Sequence, residues 1–176
     1  MVILHTPRID LIALSAHQLL QYLEQPDQLE TELKIPVSRS IGTERVQRAI
    51  RMKLEKMALV EQERHTWYTY WLLVIRSVPF GAGLVGFKGV PDPNGEVEIG
   101  YGIDPVYRSQ GYMTEAVCRM IEWAFEEKDC LTVVARDIMK LNVASQRVSE
   151  KSGMTKYDES EESLSYRIGR ERIGLH

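Results

Sequence analysis

The residues best suited to bind a ligand or take part in a reaction lie in the stretch PVYRSQGYMT, at positions 105–114. A predicted strand ends near Ile103 and a predicted helix begins near Gly111, so the loop presents the first amides of a helix. These amides have no partner within the helix, and the helix dipole favours an anion beside them. Gly111 allows close approach to the backbone, and Arg108 adds a charged donor. The pattern favours an anion site, with an ordinary surface turn as the alternative.

Four predicted elements position this loop. Residues 96–103 alternate apolar and polar side chains, which predicts a strand. Apolar residues at helical spacing after Gly111 predict a helix that ends near Lys128, and 131–135 reads as a short buried strand. This strand-helix-strand order is a crossover unit, which makes the two strands parallel neighbours. A further helix is predicted over 142–152.

The remaining segments extend the sheet and cover it. Strands are predicted over 8–14, 66–76 and 83–89 before the loop, and over 154–158 and 163–168 after it. Helices are predicted from Ser15 to Pro26 and from Thr43 onward. The aromatic residues of 66–76 are expected in the core, with an acceptor-pocket lining as the alternative. The order β-α-α-β-β-β-α-β-α-β-β predicts a mixed α/β fold.

Composition limits the classes of function. With 176 residues, 44% of them hydrophobic, we expect a single domain over residues 1–176. The net charge of -3 provides no basic surface for nucleic acid. The two cysteines, Cys118 and Cys130, lack paired spacing, and no apolar run approaches the roughly 20 residues of a membrane span. We therefore expect a cytoplasmic protein with reduced thiols and no membrane or nucleic-acid partner.

The loop and its surroundings resemble a known superfamily. Arg108-Ser109-Gln110-Gly111-Tyr112-Met113 is similar to the signature of the GNAT acyl-coenzyme A-dependent N-acyltransferases. The segments GYMTEA and NVASQRVSEKSGM are most similar to the branch of ribosomal-protein N-terminal acetyltransferases. The resemblance implies a mostly antiparallel sheet that is flanked by helices and splayed between the fourth and fifth predicted strands.

The resemblance also implies that acetyl-coenzyme A (acetyl-CoA) is the cofactor. Its pyrophosphate is expected on the loop and its pantetheine arm along the strand from Glu98 to Ile103. Met113 departs from the family pattern, which prefers Gly or Ala, so the cofactor either contacts the backbone alone there, with the Met113 side chain turned into the core, or is partly obstructed. Asn142 is implied at the cofactor arm, with helix capping as a competing role. The implied cofactor-binding residues are Ile103, Arg108, Ser109, Gln110, Gly111, Tyr112, Met113, Thr114, Asn142 and Ser145.

Two residues are the catalytic candidates. Acyl transfer requires a deprotonated amine, and Glu98 on the strand beside the expected thioester is the candidate base, whereas Glu96 is expected to be a solvated hairpin residue. The resemblance places Ser145 near the thiolate leaving group, with helix packing as the alternative. Many family members carry a tyrosine acid at the position of Ser149, and that acid is missing here. Neither cysteine has a neighbour that would lower its thiol pKa, so direct transfer is expected over an acyl-cysteine route.

The prediction is therefore an N-acetyltransferase that moves an acetyl group from acetyl-CoA to a primary amine in a ternary complex. The acceptor is a protein N-terminus or a small-molecule amine, and a homodimer is possible. The alternative is a non-catalytic acyl-CoA sensor or interaction protein on the same scaffold. The acidic run from Asp158 to Glu162 is expected to be a solvated turn, with recruitment of a cationic acceptor as its alternative. No metal site is predicted.

Overall fold

An eight-stranded sheet runs through the protein and carries helices on both faces. The computed structural model describes residues 1–174. The strands are β1 (Ile3–His5), β2 (Ile9–Ala13), β3 (Trp71–Ile75), β4 (Phe80–Phe87), β5 (Glu96–Ile103), β6 (Thr132–Met139), β7 (Thr155–Glu159) and β8 (Ser163–Gly169). The helices are α1 (Ala16–Glu24), α2 (Pro26–Leu33), α3 (Glu44–Met57), α4 (His65–Tyr68), α5 (Tyr112–Glu126) and α6 (Val143–Lys151). The strand order is β1-β2-β3-β4-β5-β6-β8-β7, and only β5 and β6 pair in parallel, which confirms the predicted mixed sheet.

The first helices begin at the predicted caps. The Ser15 hydroxyl accepts a hydrogen bond from the Gln18 N–H at 3.1 Å, and the Gln18 side chain accepts one from the Ser15 N–H at 3.0 Å. Thr43 caps α3 through the Val46 N–H at 3.4 Å. Pro26 ends α1 as predicted, but an unpredicted helix, α2, begins at the same residue. Proline fits this first helical position because no N–H is needed there.

The predicted strand over 66–76 is partly wrong, because its first residues form α4 and only Trp71–Ile75 are extended. Packing of Trp67 explains the difference. Its ring centroid lies 5.2 Å from that of Phe87 and 4.6 Å from that of Trp123. The helical turn directs the ring into the core, and this packing outweighs the strand preference of aromatic residues. Trp67 and Trp71 are both buried, which confirms their predicted core role.

β6 extends beyond the predicted 131–135 and ends at Met139. Its register against β8 shifts between Ala135 and Ile138, and Asp137 lies in the left-handed region with φ of 53°. Such a bulge bends a strand and increases its twist. The apolar sequence pattern stops at the bulge, whereas the strand continues past it. The short N-terminal strand β1 was not predicted either.

Separate apolar cores lie on the two faces of the sheet. The predicted stripe of α5 is buried in one of them, formed by Met113, Val117, Met120, Ile121 and Ala124. The other core contains Leu19 of α1, Leu29 of α2 and Ile50 and Met57 of α3, packed on β3 and β4. The helices α3 and α5 therefore cover opposite faces. Within residues 1–174, no helix combines the length and the apolar character required to cross a bilayer.

Candidate functional site

The parallel pairing of β5 and β6 stops after a few residues. Glu96 pairs with Thr132, and the last pair joins Glu98 to Val134. Beyond it, the two strands diverge, so the second half of β5 has a partner only on its β4 side. The predicted splay is confirmed, since these are the fourth and fifth strands of the predicted order.

The backbone of β5 presents alternate residues to this opening. The Lys88 N–H donates to the Glu98 carbonyl at 2.9 Å, and the Asp104 N–H donates to the Ala82 carbonyl at 2.8 Å. In an antiparallel ladder, alternate residues bond to the same neighbour. The peptide groups of Ile99, Tyr101 and Ile103 consequently point away from β4. The Ile99 N–H completes the last pair with β6, whereas the Ile99 carbonyl and the peptide groups of Tyr101 and Ile103 face the gap. They form a row of backbone donors and acceptors on the open edge.

A cavity of about 530 Å³ opens at the splay. It is bounded by α3, by residues 98–102 of β5, by residues 135–139 of β6 and by Asn142 and Ser145 at the start of α6. A side chain at Gly100 or Gly102 would meet no atom within 4 Å of its Cβ. The two glycines therefore leave the floor of the cavity open. The volume lies within the range of about 300–1,000 Å³ that is usual for ligand sites.

The predicted anion loop leads into α5. Gly111 lies in the left-handed region with φ of 84°, as does Ser109 with φ of 60°. Among residues 1–174, no acceptor receives a hydrogen bond from the amides of Tyr112, Met113 or Thr114. The Met113 side chain is only 5% exposed, so it turns into the core and leaves its N–H available. The structure thus brings together the unpaired amides that a pyrophosphate would need.

A buried carboxylate fixes the start of this loop. Asp104 accepts hydrogen bonds from the Ser38 hydroxyl at 2.5 Å and from the Val106 N–H at 2.9 Å. These donors hold the pKa of Asp104 below its ordinary value. Arg108 is exposed at the other side of the turn, where its guanidinium can reach an anion. The position of the loop is therefore set by contacts on the face covered by the N-terminal helices.

Sequence reasoning missed Arg8, which lies next to the anion loop. Its guanidinium donates to the Gln110 carbonyl at 2.8 Å and to the Glu115 carboxylate at 2.6 Å, and it stacks 4.7 Å from the Tyr112 ring centroid. Burial raises the pKa of Glu115, but bonds from Thr6 and Arg8 outweigh burial and leave that pKa below its ordinary value. No local pattern indicates this contact, because about a hundred residues separate its partners.

Glu98, the predicted base, lies on the cavity wall between two cations. Lys88 bonds to one carboxylate oxygen, and the Arg136 guanidinium lies 3.4 Å from the other. Arg136 also pairs with Glu96, two residues back on the same face. Glu96 is therefore ion-paired rather than simply solvated, which departs from the expectation. The Glu98 side chain is held in place by both partners.

The start of α6 carries the other predicted residues. Asn142 caps the helix, since its side chain accepts from the Ser145 N–H at 3.1 Å. Its predicted capping role is confirmed, and the exposed side chain also lines the cavity. Ser145 lines the cavity as well, and its hydroxyl makes no hydrogen bond within residues 1–174. Both residues therefore face the gap.

A tyrosine that the sequence analysis did not select reaches the same place from the sheet. The Tyr101 hydroxyl donates to the Ser145 carbonyl at 3.0 Å and lies 3.0 Å from the Ser149 hydroxyl, which is fully buried. Burial raises the pKa of Tyr101 to about 12, despite the opposing bond to Ser149. A phenol therefore occupies the neighbourhood of Ser149, although it comes from β5. The alternation of apolar and polar residues along β5 could have indicated this tyrosine, because it places the Tyr101 side chain on the face of the sheet opposite to the face that carries Glu98.

One cavity residue is a buried lysine. Lys53 donates to the carbonyls of Tyr68 at 3.1 Å, Thr69 at 3.4 Å and Phe87 at 2.5 Å, and lies 4.4 Å from the Tyr70 ring centroid. Desolvation, with help from nearby lysines, lowers its pKa to about 7. These bonds join α3 to the strands beneath it. Tyr70 itself lines the cavity. Of the aromatic residues in 66–76, it is the one that fits the alternative expectation of a pocket lining.

The cysteines lie away from the cavity lining. Burial raises the pKa of the Cys118 thiol, and it raises the pKa of Cys130 to about 12. Raised pKa values disfavour the nucleophilic thiolate. The geometry consequently supports direct transfer over a route through an acyl-cysteine.

A parallel strand pair that splays beside a helix-start anion loop is the arrangement that the resemblance to the GNAT acyltransferases implied. Residues 8–155 match the family described as the acetyltransferase (GNAT) domain. Because this match covers most of the chain, the protein belongs to the GNAT acetyltransferase family, whose acyl donor is acetyl-CoA. The resemblance inferred from the sequence is confirmed.

Individual relatives agree with this assignment. The chain is 33% identical over 95 residues to the uncharacterized N-acetyltransferase YjdG of Bacillus subtilis (strain 168). The match covers 54% of this chain and 56% of YjdG, so the chain spans about half the length of that curated relative.

Solved structures share the fold at lower identity. One is RimL, a ribosomal L7/L12 alpha-N-protein acetyltransferase in complex with coenzyme A, with 16% identity, a TM-score of 0.67 and coverage of 96% of this chain and 98% of that one. Another is the ribosomal-protein-S5-alanine acetyltransferase of Vibrio fischeri, with 17% identity, a TM-score of 0.66 and coverage of 96% and 97%. At these identities, the similarity demonstrates the shared fold alone.

Proposed function

We propose that this protein transfers an acetyl group from acetyl-CoA to a primary amine in a ternary complex. The observation that carries the proposal is the open edge of β5, which leads from Glu98 to the unpaired amides of α5 and borders a cavity of about 530 Å³. The start of α6 closes the other side of the gap.

The residues present fit the cofactor. Its pyrophosphate would meet the amides from Gln110 to Thr114, with Arg108 and Ser109 at the start of the turn. Its pantetheine arm would bond to the open edge of β5, which ends at Ile103, and pass Asn142. When bound, acetyl-CoA supplies an acetyl group activated as a thioester.

Glu98 acts as the base in this proposal. An amine at pH 7 is protonated and must lose its proton before its lone pair can form the new C–N bond. Both carboxylate oxygens of Glu98 have cationic partners, so we infer that a water molecule carries the proton to this carboxylate. Lys88 and Arg136 hold the carboxylate at the cavity wall.

Ser145 and Tyr101 act on the leaving group. Breaking the C–S bond leaves negative charge on sulfur, and the free hydroxyl of Ser145 would donate a hydrogen bond to it. Tyr101 is a positioning residue, since its hydroxyl holds the carbonyl of Ser145. A phenol with a pKa of about 12 keeps its proton beside a thiolate whose conjugate acid has a pKa of about 8.5, so solvent finally protonates the sulfur.

A thiol-release assay with acetyl-CoA and a panel of amines tests this function. Glu98→Gln is expected to lower kcat about 100-fold, because general bases contribute roughly 10²–10⁴-fold. Glu96→Gln is the matched control, since it shares Arg136 but does not line the cavity. Thiol release no faster than the rate without protein, in wild type, Glu98→Gln and Ser145→Ala across the panel, would support the alternative, a non-catalytic acyl-CoA sensor.

A further inference from the structure

One wall of the cavity is cationic. The side of α3 that borders the cavity presents Arg45, Arg48 and Lys56 at helical spacing, and neither carboxylate of this helix lines the cavity. The whole chain has a formal net charge of -3, so the wall is a local concentration of positive charge on an acidic protein. Such a surface attracts anionic ligands and raises their rate of encounter.

Ion pairing neutralises the opposite wall but not α3. Lys88 and Arg136 pair with Glu98 on the sheet side of the cavity. In contrast, no carboxylate of residues 1–174 lies within 4.0 Å of the guanidinium nitrogens of Arg45 or Arg48. Charges that lack an internal partner are available to a ligand.

The position of this wall separates it from the coenzyme phosphates. The anion loop begins α5, and α5 covers the face of the sheet opposite α3. Arg108 of the loop does not line the cavity. The charges of α3 are therefore placed on the side of the gap from which an acceptor approaches Glu98.

The acidic run that could have recruited a cationic acceptor does not contribute to this cavity. Glu159 pairs with Lys140 at 2.8 Å and with Lys156 at 2.6 Å. These pairs hold the pKa of Glu159 at about 2, and the expected solvated turn is only partly right, because Asp158 and Glu159 are the last residues of β7. The charge of the acceptor cavity is set by α3 instead.

We propose that the acceptor is the N-terminal segment of an acidic polypeptide. This inference rests on the proposed acetyl transfer and adds the class of substrate. From Arg45 to Lys56, the helix rises about 16 Å, at about 1.5 Å per residue. An extended peptide covers the same length with about five residues. The terminal amine reaches Glu98 while carboxylates on the following residues meet Arg45 and Arg48.

The test compares peptides of about five residues that share an N-terminal serine. One carries three glutamates after the serine, one carries three glutamines, and one carries three lysines. We expect the acidic peptide to have the highest kcat/KM, and Arg45→Gln with Arg48→Gln to raise its KM about tenfold, while the neutral peptide changes little. Added salt should likewise raise the KM of the acidic peptide and change that of the neutral peptide little. Arg51→Gln is the matched control, because Arg51 lies on the same helix, pairs with Glu24 at 3.6 Å and does not line the cavity.

Binding distinguishes failure of this inference from failure of the proposed function. Fluorescence anisotropy of the labelled acidic peptide on the protein saturated with coenzyme A measures recognition without turnover. Selective binding of the acidic peptide, weakened in the double variant, supports the inference even if no amine is acetylated. Equal use or binding of the three peptides would overturn it. It would also be overturned if the double variant weakened coenzyme A binding and left peptide selectivity intact.

Discussion

Replacing Tyr101 with phenylalanine tests the arrangement at the start of α6. The ring stays in place, but the hydroxyl that bonds to the Ser145 carbonyl and to the Ser149 hydroxyl is removed. Ser149 is fully buried, and a buried hydroxyl without a partner costs about 1–3 kcal/mol. Loss of the bond to the Ser145 carbonyl also frees the helical turn that carries the Ser145 hydroxyl, the proposed hydrogen-bond donor to the thiolate. A displacement of about 1 Å can lower a rate by about 100-fold, so we expect kcat to fall between tenfold and 100-fold.

The assay is thiol release from acetyl-CoA, measured well below the midpoint of unfolding of each variant. We expect kcat to fall and the KM for acetyl-CoA to stay unchanged, because Tyr101 acts after the cofactor is bound. Tyr22→Phe is the control, since its buried hydroxyl donates to the Ser38 carbonyl at 3.0 Å and lies away from the cavity. A variant of Tyr101 that loses stability like the control but retains the wild-type kcat would refute the positioning role.

Three further perturbations follow from the structure. Between pH 7 and 10, the free energy of unfolding of wild type should rise by about 1.4 kcal/mol per pH unit relative to that of Lys53→Met, measured by urea unfolding, because the native pKa of Lys53, about 7, lies below its unfolded value. Arg8→Ala should weaken coenzyme A binding about tenfold in calorimetry, Arg8→Lys should restore little, and unchanged affinity would contradict the role of this contact. Gly100→Val should fold and abolish thiol release, because its side chain enters the open cavity, whereas full turnover would show that the reacting groups lie elsewhere.

Local patterns predicted much of the fold. The alternation of 96–103 gave the bounds of β5 correctly, and the caps at Ser15 and Thr43 are where the sequence indicated. The prediction failed where tertiary contacts outweighed local preference, as at Trp67, and where the bulge at Asp137 interrupted an apolar pattern. These departures depend on residues that are distant in sequence.

The candidate site divides in the same way. Residues of the anion loop and of α6 follow one another in sequence, so a motif could indicate them. The pair of Arg8 with Glu115 and the contact of Tyr101 with α6 join separate elements, and only the folded sheet brings them together. The basic wall of α3 could not be predicted from the sequence for a related reason: only the folded structure shows that its charges border the cavity.

Amide hydrogen exchange with and without acetyl-CoA tests the central claim most directly. The account predicts that the cofactor slows exchange at Tyr101 and Ile103 on the open edge of β5, and at the first amides of α5 from Tyr112 to Thr114. Gly100 and Gly102 should change little, because their amides already bond to β4. Absence of protection at the open edge and at the α5 amides, with saturating acetyl-CoA present, would contradict the account.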